Sequence, residues 1–283
     1  MVTSHYHIKG MSRDDLQVAI DWAAQEGWNP GLYDLESFYA ADPTGFLMGY
    51  LGDEPIASIS VVKYDSSYGF LGFYIVKPDY RGKGYGLALW KAGLEYLKGC
   101  NIGLDGVVEQ QENYKQSGFK LAYGNIRFEG FGGGRAPVAA GVTDLALVLF
   151  DDIERYDQAF FPATRGPFLE HWLSQTGSVG LGIKQQEQLM GYGVIRPCRN
   201  GFKIGPLFAD NCVLAEVLFL ALKATVPATQ NVYLDVPEVN VLGVEIARKY
   251  NMQPIFTTAR MYTGAMPAIS VDRTFGVTTF ELG

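Results

Sequence analysis

Residues 73–87 read Phe73-Tyr74-Ile75-Val76-Lys77-Pro78-Asp79-Tyr80-Arg81-Gly82-Lys83-Gly84-Tyr85-Gly86-Leu87. The apolar run ending at Val76 reads as a strand, three glycines alternate from Gly82 to Gly86, and an amphipathic helix begins at once. Glycines let the backbone curl so that successive N–H groups point into one concavity. The helix start adds the positive end of its dipole, and Arg81 and Lys83 add full charges. The result is a cradle for a diphosphate. The plainer reading is a helix-opening turn with spare glycines. The flanking strand, the two cations and the immediate helix speak against it.

The spacing Gly82-x-Gly84-x-Gly86 does not match the G-x-G-x-x-G of dinucleotide folds. Gly82-Lys83 is followed by Gly84, so the loop is not a Walker motif either. The elements around it point the same way. Ser12-Arg13-Asp14-Asp15 reads as a capping box opening a helix to about Glu26, and a short helix is expected over residues 35–40. Three strands in hairpin rhythm follow over 45–51, 56–63 and 68–76. Behind the loop, Leu87, Trp90, Leu94 and Leu97 mark a helix stripe. A strand over 101–108, a helix over 110–116 and a strand over 120–128 come next. This order predicts a mixed, mostly antiparallel sheet flanked by helices, not the regular alternation of a dinucleotide fold.

Residues 130–137, Gly-Phe-Gly-Gly-Gly-Arg-Ala-Pro, read as a linker. Beyond it the chain repeats itself. Gly69-Phe70-Leu71-Gly72 resembles Gly201-Phe202-Lys203-Ile204, and Asn101-Ile102-Gly103-Leu104-Asp105 resembles Asn231-Val232-Tyr233-Leu234-Asp235. The landmarks lie 32 residues apart in the first half and 30 in the second. Two similar α/β (α+β) units in tandem are expected, one over residues 1–132 and one over 133–283. A chain of 283 residues suits two cores better than one.

The net charge of −7 and the lack of a Lys/Arg cluster exclude the usual electrostatic footprint of nucleic-acid binders and of proteins docking on anionic membranes. A negative field favours cationic small molecules such as amines. Cys100, Cys198 and Cys212 are scattered and odd in number. They build neither a disulfide framework nor a zinc site, so a reducing, cytoplasmic setting is expected. The apolar run 213–226 carries Glu216 and Lys223 and reads as a buried helix. His5-x-His7 on a terminal strand lacks a third metal ligand, so no metal is expected.

Arg81-Gly82-Lys83-Gly84-Tyr85-Gly86 resembles the central Gln/Arg-x-x-Gly-x-Gly/Ala motif of the GNAT N-acetyltransferase superfamily. Tyr114-Lys115-Gln116-Ser117-Gly118-Phe119 resembles the tyrosine-to-glycine-phenylalanine ending of that family's next helix. The similarity covers residues 5–130, and the whole chain looks like bacterial proteins that append a GNAT-like domain to a catalytic one. The resemblance implies acetyl-CoA as co-substrate, with its pyrophosphate on the amides from Arg81 through Gly82, Lys83, Gly84 and Tyr85 to Gly86. It implies a pantetheine arm paired with the main chain of Ile75 and Val76, and Tyr114 beside the sulfur as acid for the departing thiolate. The family often carries Asn seven residues before that tyrosine. Val107 stands there in this chain, and Asn113 is the candidate for the missing contact.

Acetyl transfer to an amine needs a neutral amine, a polarised carbonyl and a proton for sulfur. Glu109, just past the fifth strand, is the first candidate base, with Asp105 beside it. Trp28 and Asn29 lie in the segment that overhangs the acceptor in GNAT folds, as the resemblance implies. In the second half Pro206-Leu207-Phe208-Ala209-Asp210-Asn211-Cys212 replaces the cradle and Ala247 takes the tyrosine position. That half is therefore expected to shape the acceptor pocket without binding acetyl-CoA. There Asp235, Glu238 and Asn240 either meet a cationic acceptor or cap a helix. The expected activity is acetylation of a small-molecule amine in a ternary complex. A CoA-binding sensor, a protein acetyltransferase and a longer acyl donor stay open, as does the oligomeric state.

Overall fold

The computed structural model describes residues 5–138 and 141–283. Strand β1 (Tyr6–Gly10) leads to helix α1 (Arg13–Gln25). The Asp15 N–H donates to the Ser12 hydroxyl at 3.2 Å and the Ser12 N–H donates to the Asp15 carboxylate at 2.9 Å. The capping box thus closes with Asp in its acidic position. Helix α2 (Asp34–Ala41) and strands β2 (Phe46–Leu51), β3 (Glu54–Lys63) and β4 (Tyr68–Val76) follow. Then come α3 (Tyr85–Tyr96), β5 (Asn101–Val107), α4 (Gln111–Gln116) and β6 (Lys120–Phe131).

Two details differ from the sequence reading. Helix α3 buries Leu89, Trp90 and Gly93, with Leu97 buried just past its end, while Leu87 is 57% exposed. Gly93 sets this face, because a Cβ there would meet Val61 Cγ1 at 2.8 Å. Strand β6 also runs on through Gly130 and Phe131, which pair with the second half, so the linker begins later.

The second half contains β7 (Val142–Asp144), α5 (Phe150–Asp157), α6 (Gly166–Leu173), β8 (Val179–Gln185), β9 (Gln188–Pro197) and β10 (Phe202–Ala209). It continues with α7 (Cys212–Ala224), β11 (Asn231–Pro237), α8 (Val241–Lys249), β12 (Gln253–Tyr262) and β13 (Thr274–Gly276). The apolar run 213–226 is α7, which buries Ala215, Leu218, Phe219 and Leu222 along one face. Each large side chain of that stripe contributes about 1.5–3 kcal/mol.

The strands form one sheet in the order β1-β2-β3-β4-β5-β12-β6-β11-β10-β9-β8-β7, with β13 added on β10. Read from either edge, the two halves match. Each has an antiparallel run ending in a parallel pair, β4 with β5 and β10 with β11. At the centre the halves exchange strands: β12 lies against β5, and β6 lies against β11. One apolar cluster joins Phe38 and Phe73 of the first half to Trp172, Tyr192 and Phe208 of the second.

Candidate active site

Strands β4 and β5 pair only from Tyr68 with Asn101 to Leu71 with Leu104. Past that point β4 has a free edge. Hydrogen bonds in an antiparallel ladder fall on alternate residues. The Lys77 N–H to Ile56 C=O bond, 2.9 Å, fixes the phase between β3 and β4. Ile75 therefore turns its main chain to β3 and Val76 turns its main chain to the cleft. The Val76 carbonyl is taken by Arg81 Nε at 2.8 Å, which leaves its N–H for a ligand strand. A cavity of about 620 Å³ fills the splay, running from the glycine loop past Tyr114 to residues of both halves. That volume is typical of small-molecule sites.

The loop curls as its glycines predict. Gly82 and Gly84 have φ of 72° and 86°, and a Cβ on either would project into open space. The first backbone bond into α3 is Ala88 N–H to Gly84 C=O at 3.1 Å. Among the described residues no carbonyl accepts from the amides of residues 82–87. Six N–H groups leading into one helix start without a carbonyl partner are suited to holding an anion. Arg81 reaches Glu26 at 2.5 Å across the mouth, so part of its charge is already matched. Lys83 Nζ sits 5.5 Å from the Tyr80 ring centre, and the Tyr85 ring packs on Tyr6.

Tyr114 lines the same cavity from α4. Its ring stacks on Trp90 at 5.6 Å, and the Trp90 indole is fixed by the Ser117 hydroxyl at 3.0 Å. Gly106 makes room for it, since a Cβ there would stand 2.2 Å from Tyr114 Cε2. Burial, with the Tyr74 phenol nearby, pushes the Tyr114 hydroxyl up to about 12, so it stays protonated at neutral pH.

The far end of the cavity is made by Trp28, Asp105, Arg127, Phe256, Phe280 and Glu281. Arg127 lies 5.7 Å from the Phe256 ring centre and 5.0 Å from that of Phe280. It donates to both Asp235 oxygens, at 2.7 and 2.8 Å, and to the Trp28 carbonyl at 2.7 Å. Burial opposes the Asp235 charge, but Arg127 and the nearby cations outweigh it and hold the carboxyl below its ordinary range. Burial raises the Asp105 carboxyl despite its pairing with Arg260.

Trp28, Ile75, Val76, Arg81, Gly82, Gly84, Gly86, Asp105 and Tyr114 are thus brought together, and the other candidates stand outside the lining. Glu109 is exposed on the turn Val108–Gln110, because β5 ends at Val107 and the turn carries its side chain outward. Asn113 is exposed and donates to Gln110 at 2.6 Å. Asn29 ties the halves together: its side chain pairs with the Asn200 main chain, and its carbonyl accepts from Lys203 at 2.9 Å. Asp235 sits behind Arg127, and Glu238 accepts the Gly124 N–H at 2.9 Å. Capping falls to Asn240, whose side chain accepts the Gly243 N–H at 3.0 Å.

Sequence reasoning missed Arg127, Phe256, Phe280 and Glu281. They reach the site only through the strand exchange and the C-terminal segment, which no local pattern announces. Among the described residues no cluster of His, Cys, Asp or Glu suits a metal, and no helix is long and apolar enough to cross a membrane.

In the second half the corresponding cleft is filled. Strand β13 pairs with β10 at Leu207 and Phe208, and the Val277 N–H donates to the Asp235 carbonyl at 2.8 Å. At the start of α7 the Asn211 side chain accepts the amides of Val213 and Leu214, each at 3.1 Å. Asp210 is held by Arg273 and Tyr156.

Comparison with known proteins agrees with this geometry. Residues 13–119 match the model of the acetyltransferase (GNAT) family, and residues 153–276 match that of an acetyltransferase (GNAT) domain. The chain is 34% identical over 275 residues to holothin acyltransferase of Pseudoalteromonas sp. (strain SANK 73390), covering 97% of this chain and 94% of that protein. Its fold matches a crystal structure from Pyrococcus horikoshii, assigned as an acetyltransferase, with a TM-score of 0.83 at 22% identity over 100% of this chain and 98% of that one. It also matches a tandem GNAT protein from the clavulanic acid biosynthesis pathway, with a TM-score of 0.66 at 12% identity over 93% of this chain and 100% of the other. With both halves of one sheet built on this plan, and with an open cradle in the first, the chain belongs to the GNAT acetyltransferase family as a tandem-domain N-acyltransferase.

Proposed function

We propose that this enzyme transfers the acetyl group of acetyl-CoA directly to the amine of a small molecule, within a ternary complex in the first half's cavity. The observation that carries the reading is the run of unpaired amides at residues 82–87 opening onto a cavity that continues past Tyr114. The pyrophosphate lies on those amides. The pantetheine arm follows the free edge of β4, where the Val76 N–H is open, and brings the thioester to Tyr114. The acceptor enters from the end lined by Trp28, Phe256 and Phe280. A thioester is a good acyl donor, so positioning two substrates supplies much of the rate.

We propose two domains, 1–132 and 133–283, with the second closing the acceptor end and taking no acyl-CoA. Strand β13 in its cleft and Asn211 on its helix start support that division of labour. Holothin, named for the 34% identical relative, is the first acceptor to try.

The test is thiol release from acetyl-CoA in the presence of an amine pool of spermidine, amino acids and holothin. Release that depends on one amine is expected. CoA binding with no amine-dependent release across the pool contradicts direct transfer. Gly84→Val tests the cradle separately. A left-handed φ costs a branched residue about 1–2 kcal/mol, and its side chain would enter the anion site. Acetyl-CoA affinity is expected to fall at least about tenfold by equilibrium dialysis, with the fold retained.

A further inference from the structure

The C-terminal segment that plugs the second cleft does not stop there. After β13 it crosses the centre of the sheet and enters the first half's cavity with Phe280 and Glu281. Gly72 of β4 permits the approach, since a Cβ there would stand 2.1 Å from the Glu281 carbonyl oxygen. The segment is anchored on both sides of Glu281. Arg165 donates to the Thr278 hydroxyl at 2.9 Å and to the Gly283 carbonyl at 3.2 Å, and the Tyr64 hydroxyl donates to the Leu282 carbonyl at 2.9 Å. Glu281 itself is only 4% exposed.

Three carboxylates line the cavity, and two are engaged. Glu26 is paired with Arg81. Asp105 accepts from Arg260 at 2.8 and 2.5 Å and from Asn125 at 2.8 Å, so both its oxygens are held. Among the described residues the Glu281 carboxylate accepts one hydrogen bond, from the Thr279 hydroxyl to Oε2, which leaves Oε1 without a donor in a residue that lines the cavity. The charged groups around it are Asp105 on β5, Arg127 on β6 and Lys203 on β10. Arg127 is matched by Asp235, and Lys203 is bound to the Asn29 carbonyl.

We propose that Glu281, delivered by the second half, is the catalytic base of the first half's reaction, in the role expected of Glu109. The proposal rests on direct transfer to an amine, as argued above. The ammonium form of the acceptor gives one proton to the Glu281 carboxylate and becomes neutral. Its nitrogen lone pair then forms the C–N bond to the thioester carbon, and the C–S bond breaks as the tetrahedral adduct collapses. The second proton leaving nitrogen balances the proton that sulfur gains, and Glu281 returns its proton to solvent. In water the first transfer is uphill. Bond formation draws it forward, because the neutral nitrogen is consumed at the thioester carbon as it forms.

The test uses the full chain, acetyl-CoA and whichever amine of the pool above the unaltered chain turns over fastest. Glu281→Gln is expected to lower kcat/KM about 10²-fold near pH 7, within the range of a lost general base, with acetyl-CoA affinity unchanged. The loss should shrink below about tenfold as pH approaches the amine's own ionisation, because neutral amine then arrives from solution. Glu281→Asp, which keeps the charge and withdraws it by one methylene, should retain the unaltered pH profile at a lower plateau. An equal loss at every pH marks a structural role and overturns the proposal, as does a loss under about threefold. If Glu281→Gln does not fold, a pH profile for Glu281→Asp parallel to that of Glu281→Gly overturns it as well. An unaltered chain that binds acetyl-CoA and acetylates no amine contradicts the transfer reading itself, a different outcome from transfer that is indifferent to residue 281.

Discussion

Tyr114→Phe is expected to lower kcat about 10²-fold while leaving acetyl-CoA affinity within about twofold, the size expected for removing one preorganised donor from a developing anion. The phenol is pushed up to about 12 by burial, whereas a thiol ionises near about 8.5. Complete transfer from tyrosine to thiolate would be uphill by about 5 kcal/mol. In the proposed reaction Tyr114 would therefore act as a hydrogen-bond donor to sulfur as the C–S bond breaks, its proton moving on only as the new amide gives one up. Phenylalanine keeps the stack on Trp90 and the fit over Gly106. Steady-state kinetics with a saturating acceptor read the effect. A kcat within about threefold of the unaltered enzyme means that water serves the sulfur and Tyr114 only shapes the wall.

Asp34→Ala is expected to cost about 3–5 kcal/mol of stability, the cost of breaking a buried ion pair from one side. Asp34 on α2 and Arg196 on β9 have wholly buried side chains 2.8 Å apart, and they join the two halves. Asp34 also accepts the Gly31 N–H at 2.7 Å, and the guanidinium lies over Trp172 at 4.1 Å. Without the carboxylate, a full cation stays in the apolar cluster with no anion. Burial opposes the Asp34 charge, yet Arg196 and its bonds prevail and hold the carboxyl below its ordinary value. A depressed carboxyl contributes stability above its unfolded pKa of about 3.9 and loses it as pH falls through the folded value. The gap between the unaltered chain and Asp34→Ala should therefore be complete near neutrality and narrow on acidification below about pH 4. Urea unfolding at several pH values measures it. Replacing both partners, Asp34→Leu with Arg196→Met, should recover most of the loss. A cost under about 1 kcal/mol for Asp34→Ala shows that this pair does not hold the halves together.

The first half was legible because its signals are local. Ser12 caps its own helix, turn residues separate the hairpin strands, and Gly82 and Gly84 announce a backbone that only glycine adopts freely. The same locality singles out Tyr114, which lines the cavity. The repeat also showed, in the matched segments that become the parallel pairs β4–β5 and β10–β11. The exchange of β6 and β12 was not legible, since the alternation of a strand says which face is buried and not which neighbour it pairs with. That exchange and the tail set the end of the cavity lined by Arg127, Phe256, Phe280 and Glu281. No local pattern therefore marks Arg127 or Glu281, and Glu109 is the acid that the sequence places just past the fifth strand. Asp235 read as an acceptor contact, while its carboxylate instead holds Arg127 in place.

Amide hydrogen exchange with and without CoA tests the cradle most directly, because among the described residues the amides of residues 82–87 have no backbone acceptor. Added CoA should slow exchange at those positions and leave residues 210–214, at the start of α7, unchanged. Unchanged exchange at residues 82–87 under saturating CoA, or protection at residues 210–214 instead, would contradict the account.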